Sequence, residues 1–182
     1  MNNQKNNALV WIDLEMTGLD YFNDTILEIA SIVTDSNLNI IDLGPNLVIY
    51  QPDDILNRMD NWCIETHTKS GLLKAVKESA ISMEQAEQET LYFLQQYCAK
   101  GMAPLCGNTI WFDKLFLKKD MPRIVDYLHY RIVDVTAFKI MLGTWSGKKD
   151  LGFKKQNSHR ALDDIKESIA ELQFYREQFI NV

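Results

Sequence analysis

The apolar positions of the chain fall first into short runs and only later into helical stripes. "ALVWID" (8–13), "ILEIASIVTD" (26–35) and "NLVIYQ" (46–51) are rich in β-branched and aliphatic residues and are separated by Gly, Pro, Asn and Asp, which predicts three strands in a meander. "SMEQAEQETLYFLQQYCAKG" carries Ser82 with Gln85 three residues on and Gly101 at its end, the signature of a capped helix. A short strand at "PLCGN", a helix over about Trp111 to Lys119, the strand "RIVDV" and a helix over about Thr136 to Leu142 follow. The last element, from about Ser158 to Phe179, is a long helix with Ala161, Ile165, Ile169, Leu172 and Phe179 along one stripe. Strands first, then strands alternating with helices, predict an α/β protein with a mixed sheet covered by helices.

Composition narrows the class. With 182 residues, 46% of them hydrophobic and 24% charged, the chain suits one domain, 1–182, and no linker or repeat divides it. The first residues, "MNNQKNNALVW", lack the basic and apolar regions of a signal peptide, and no window resembles a membrane span, so a cytoplasmic protein without a membrane partner is expected. Cys63, Cys98 and Cys106 lie among apolar neighbours without CxxC spacing, which favours buried thiols over disulfides or a zinc site. The net charge of −6 argues against a surface that grips long nucleic acid through many phosphates, yet leaves room for a short anionic ligand held by metal ions and a few placed cations. The basic cluster Lys139, Lys148, Lys149, Lys154 and Lys155 could attract such a ligand or be a solvated loop.

The candidate chemistry lies in carboxylates. Asp13 and Glu15 are two apart at a strand end and so share a face; they are either a pair that hard cations hold together or solvated loop residues. Asp113 follows a strand-to-helix turn, where ligands gather in α/β proteins and where an Asp also suits the helix dipole. On the last helix, with Ala161 as origin, the apolar stripe centres at about 30°, Asp163 falls at about 200° and Asp164 at about 300°. Asp164 therefore flanks the buried face and needs a partner, for which His159 is placed just ahead.

Taken together, "DLE" (13–15), Asp113 after "GNTIWF", and "HRALDD" (159–164) resemble the three motifs of the DEDDh 3′-to-5′ exonucleases. Within that superfamily "WIDLEMTGLD", "NWCIETHTKSGL", "HYRIVDV" and "HRALDDIKESIAELQFYREQFI" resemble the oligoribonuclease family, over the whole chain. The resemblance implies a ribonuclease H-like fold: a mixed five-stranded sheet with helices on both faces. It implies that Asp13, Glu15, Asp113 and Asp164 hold two Mg²⁺ or Mn²⁺ ions, with His159 as general base. The substrates it implies are short oligoribonucleotides and dinucleotides. Leu19 would wedge between the terminal bases, Trp62 and His67 would line the site of the 3′ nucleotide, and Thr109, Arg131 and Thr136 would cap a 5′ phosphate. A homodimer is implied as well, with Tyr130 reaching the partner's site. Trp111 and Phe112 depart from the family's smaller or more polar residues before Asp113, which bears on pocket shape rather than on the metal ligands. The competing readings are an exonuclease of longer DNA or RNA ends and a module that binds linear dinucleotides without cleaving them.

Overall fold

The structure is a computed structural model, and it describes residues 7–154 and 159–180. Five strands, β1 (Leu9–Met16), β2 (Ile26–Thr34), β3 (Ile40–Val48), β4 (Leu105–Gly107) and β5 (Ile132–Asp134), form one sheet in the order β3-β2-β1-β4-β5. β1, β2 and β3 pair antiparallel, whereas β4 and β5 join as parallel strands, so the sheet is mixed. The helices described are α1 (Asp53–Leu56), α2 (Asn61–Lys69), α3 (Leu72–Glu78), α4 (Met83–Tyr97), α5 (Ile110–Asp120), α6 (Pro122–Tyr127), α7 (Val135–Ser146) and α8 (Ala161–Phe179).

Alternation along β1 decides which layer each residue joins. Val10, Ile12 and Leu14 enter one apolar cluster with Leu94 of α4, Phe116 and Leu117 of α5 and Ile124 of α6. Trp11 faces the other way, into a second cluster with Leu142 of α7 and Ala161, Ile165, Ile169, Leu172 and Tyr175 of α8. Helices therefore cover both faces, and β2 is buried at all nine positions. Each large apolar side chain so buried contributes roughly 1.5–3 kcal/mol. Trp11 keeps its indole N–H satisfied by donating to Thr34 Oγ1 at 3.0 Å. A third cluster, Leu27 with Leu56, Met59, Cys63, Leu72 and Val76, packs α1 to α3 beside one end of β2.

Several boundaries differ from the sequence expectation. β3 starts at Ile40 and ends at Val48 rather than running from 46 to 51. The Gly44-Pro45 pair, which reads as a break, is instead a bulge: Ala30 pairs with Asn46 and Ile32 with Leu43, so both residues oppose Ser31 alone. An edge strand tolerates the proline, and Gly44 is required because an added Cβ would lie 2.2 Å from Ser31 Oγ. Ser82 does cap α4, accepting from Gln85 N at 3.1 Å, but the helix ends at Tyr97, four residues short of Gly101. α7 continues past Leu142 to Ser146, and the short α6, begun by Pro122 in its first turn, has no counterpart in the expectation. The expected start of the last helix at Ser158, and Lys155 of the basic cluster, lie outside the described residues.

The three cysteines fall in three different apolar clusters. Burial pushes the Cys63 thiol up to about 12, so it stays protonated. Among the described residues no helix is long and apolar enough to cross a membrane.

Candidate active site

β1 outruns its parallel neighbour. β4 pairs with it only at Val10 and Trp11, which leaves the second half of β1 with a bare edge. The start of α5 fills that gap: Asp113 Oδ1 accepts from Leu14 N at 3.2 Å, so a backbone donor that would lack a strand partner draws in a carboxylate 99 positions away. Asp113 is buried, and that burial raises its pKa above the ordinary aspartate range.

On the Trp11 face, Asp13 and Glu15 follow at two-residue steps, half-buried, and point toward the start of α8. There α8 delivers Asp164. Ligand atoms of Glu15, His159 and Asp164 all lie within 4.8 Å of one another. Asp163 points outward and pairs with Lys166 at 3.4 Å, as the helical angles require. Asp13 comes from the same strand as Glu15, and Asp113, from α5, acts on Glu15 through its charge. The price of the crowding falls on Glu15, whose pKa rises from 4.5 to about 8, through burial first and then through the charges of Asp164, Glu28 and Asp113.

His159 precedes α8, as expected, with a left-handed φ of 52° and its ring edge-on to Trp62 at 5.9 Å. His67 sits deeper. Its Nε2 is 2.9 Å from the Met16 carbonyl, which can only accept, so Nε2 carries the proton and Nδ1 faces Glu15 Oε2 at 3.9 Å. Burial holds its pKa below the ordinary histidine range.

A cleft of about 480 Å³ opens over Glu15 and His67, with Leu19 and Trp62 on its walls. Leu19 is 74% exposed and Trp62 62% exposed, so neither is spent on packing. The Leu19 loop is stiff: Asp24 accepts from Thr17 Oγ1 at 2.8 Å and from Asp20 N at 2.7 Å. Gly18 is needed there, since an added Cβ would lie 2.4 Å from Asp24 Oδ2.

The expected phosphate-capping residues are only partly together. Thr109 and Thr136 hydroxyls are 3.1 Å apart beyond the ends of β4 and β5, and Thr109 N donates to Thr136 Oγ1 and to Asp134 Oδ1, each at 3.0 Å. Arg131 instead lays its guanidinium over the Tyr130 ring at 5.1 Å. Tyr130 is 72% exposed and stacks on His129. Of the lysines, Lys139 pairs with buried Glu171 at 3.8 Å, and Lys148 lies over the Phe179 ring. Trp111 is exposed, while Phe112 packs on Phe116.

Two residues at the site were not anticipated, Glu28 and Arg160. The signal was present: a lone carboxylate inside the apolar run "ILEIASIV", and an arginine beside His159.

The class of protein follows from comparison with this fold and site in view. A family model described as exonuclease matches residues 10–172, and the chain belongs to that family. It is thus a nuclease, a phosphodiester hydrolase. Among full-length relatives, the oligoribonuclease of Haemophilus ducreyi is 51% identical over 182 residues and covers all of both chains. That of Francisella tularensis subsp. holarctica is 51% identical over 179 residues, 98% of this chain and 99% of the relative. That of Pasteurella multocida is 52% identical over 174 residues, 96% and 95%. The family resemblance read from the motifs is thereby established at the level of whole chains.

Solved structures agree in fold. Exonuclease I of Methylocaldum szegediense superposes with a TM-score of 0.69 at 18% identity, and E. coli exonuclease I in complex with a dA16 oligonucleotide with 0.70 at 14%. A zinc-bound form of the E. coli enzyme with single-stranded DNA gives 0.71 at 15%. Each covers 95% of this chain, which spans 41% of those longer proteins. The sheet is therefore the ribonuclease H-like one of these exonucleases.

Proposed function

We propose that this chain is a single-domain, homodimeric 3′-to-5′ exoribonuclease of the cytoplasm that hydrolyses short oligoribonucleotides, about two to five nucleotides long, to nucleoside 5′-monophosphates. The observation that carries this reading is the trio of Glu15, His159 and Asp164, within 4.8 Å of one another, whose Glu15 lines a cleft walled by Leu19 and Trp62. A volume of about 480 Å³ is that of a small-ligand pocket rather than of a groove for a long polymer.

The donor set suits hard divalent cations: oxygen ligands in a site where burial, and then the charges of Asp164, Glu28 and Asp113, push Glu15 up to about 8. Asp13, Glu15, Asp113 and Asp164 would hold two such ions, Mg²⁺ or Mn²⁺. When bound, they supply a polarised water and stabilisation for the departing 3′ oxygen. The protein's own residues do the remainder. His159, on its non-helical turn, accepts the proton of the attacking water through an imidazole nitrogen. His67 suits that part less well: its Nε2–H is held by Met16 O, and its basic Nδ1 is buried against Glu15 rather than open to the cleft; it keeps the wall of the 3′ site in place. Leu19 separates the two terminal bases and Trp62 offers a ring for stacking. Thr109 and Thr136 offer paired hydroxyls to a 5′ phosphate, and Arg131 closes on it by leaving the Tyr130 ring.

The exposure of Tyr130 supports a role across an interface. An apolar hollow of about 550 Å³ lined by Phe138, Met141, Trp145 and Phe179 supports a second copy as its cover. Turnover of a 5′-labelled RNA dinucleotide against a labelled RNA of about 20 nucleotides, with Mg²⁺ and with EDTA, tests the reading. Metal-dependent preference for the dinucleotide is expected. Preference for the longer RNA would keep the chemistry and overturn the substrate; a dinucleotide bound intact in Mg²⁺ would overturn both.

A further inference from the structure

Glu28 stands in β2, the strand that is buried from end to end, and is itself 0% exposed. An ionised carboxylate in that position requires an opposite charge and further hydrogen bonds. Arg160 provides them as a fork. Its Nε donates to Oε1 and Oε2 at 3.2 and 3.0 Å, and its Nη2 to Oε1 at 2.7 Å. The peptide N–H of Ala161, first residue of α8, donates to Oε2 at 3.3 Å. α8 has no side-chain cap of its own, so a carboxylate of the sheet caps it.

The placement of this pair matters more than its strength. Glu28 is the cross-strand partner of Glu15 and shares its face of the sheet. The two groups it holds, the Arg160 guanidinium and the Ala161 N–H, follow His159 directly in the chain. His159 is kept in a left-handed conformation that a non-glycine residue holds only when its surroundings impose it. We infer that Arg160 and Glu28 form a strut that positions His159: the fork ties the turn after the imidazole to the strand beside Glu15, and so sets the spacing between imidazole and carboxylate. Arg160 also offsets part of the charge that Glu28 presents to Glu15. The inference rests on the reading of His159 as the base, and both residues act through His159 rather than on substrate.

The test combines kinetics with a spectroscopic readout. The chain has three histidines, so nitrogen-labelled imidazoles give three sets of signals, assigned with His67→Gln, His129→Gln and His159→Gln. In Arg160→Lys, which keeps the charge and loses the fork, kcat on an RNA dinucleotide is expected to fall about 10- to 100-fold with KM within about twofold. In the same variant, freed of metal with EDTA, the His159 signals shift or broaden while those of His67 and His129 stay. The pair E28Q with R160M leaves no buried charge and gives the same result if Arg160→Lys does not fold. Wild-type kcat, or unmoved His159 signals, in either folded protein overturns the strut. Full activity in His159→Gln would overturn the assignment of the base instead, which separates the two failures.

Discussion

Removing divalent ions should make the stability of this protein fall as pH rises, and Glu15 is the reason. Its carboxyl binds a proton with a pKa of about 8 in the folded chain, against 4.5 for the free group. The folded state therefore holds more protons than the unfolded state between those values, and stability is lost as pH rises through that window. At ~1.4 kcal/mol for each tenfold change in proton affinity, the full difference is about 5 kcal/mol. The Glu15 side chain is 14% exposed, and solvent and relaxation of its neighbours reduce the effect, so about 2–5 kcal/mol is the expected range. Glu15→Gln cannot ionise, and comparing it with the parent at each pH removes the contribution of titrating groups that do not interact with Glu15. The assay is urea unfolding followed by circular dichroism at pH 5, 7 and 9 in EDTA. Relative to E15Q, the parent should be close to equal at pH 5 and less stable by that amount at pH 9. Added Mg²⁺ should reverse the order, since ions that bind only the folded state stabilise it. A parent that holds or gains stability relative to E15Q as pH rises in EDTA would refute the electrostatic account.

Four further outcomes are expected. Trp62→Ala should leave the melting temperature unchanged, because the ring is exposed, and raise KM for a dinucleotide about 5- to 150-fold, the equivalent of roughly 1–3 kcal/mol of stacking; an unchanged KM would remove Trp62 from the site. Gly18→Ala drives a Cβ against Asp24 and displaces the Leu19 loop, so KM should rise severalfold in steady-state kinetics while secondary structure is kept. Asp163→Asn should keep kcat within about twofold, whereas Asp164→Asn should lose at least about 100-fold, since the two neighbours point to solvent and to the site respectively. If Tyr130 acts across a dimer, mixing Tyr130→Phe chains with His159→Gln chains should restore activity that neither has alone, because one site of the mixed dimer then has both groups; no recovery on mixing would place Tyr130 outside the partner's site.

What the sequence by itself determined were the features that depend on local spacing. The period of two put Asp13 and Glu15 on one face of β1, and the 100° helical step separated exposed Asp163 from inward Asp164. The motif order determined the family. Pattern alone could not find the full length of β3, since a Gly-Pro bulge on an edge strand reads locally as a turn. Only the tertiary structure decided that Leu14 N would draw in Asp113 from 99 residues away, because that bond exists only where β4 stops short of β1. It likewise decided that Arg160 would meet Glu28 across 132 positions. Those partners are chosen by a shared low-dielectric interior, in which a charge or a backbone donor must find whatever complement the topology brings beside it, and no spacing along the chain encodes that distance.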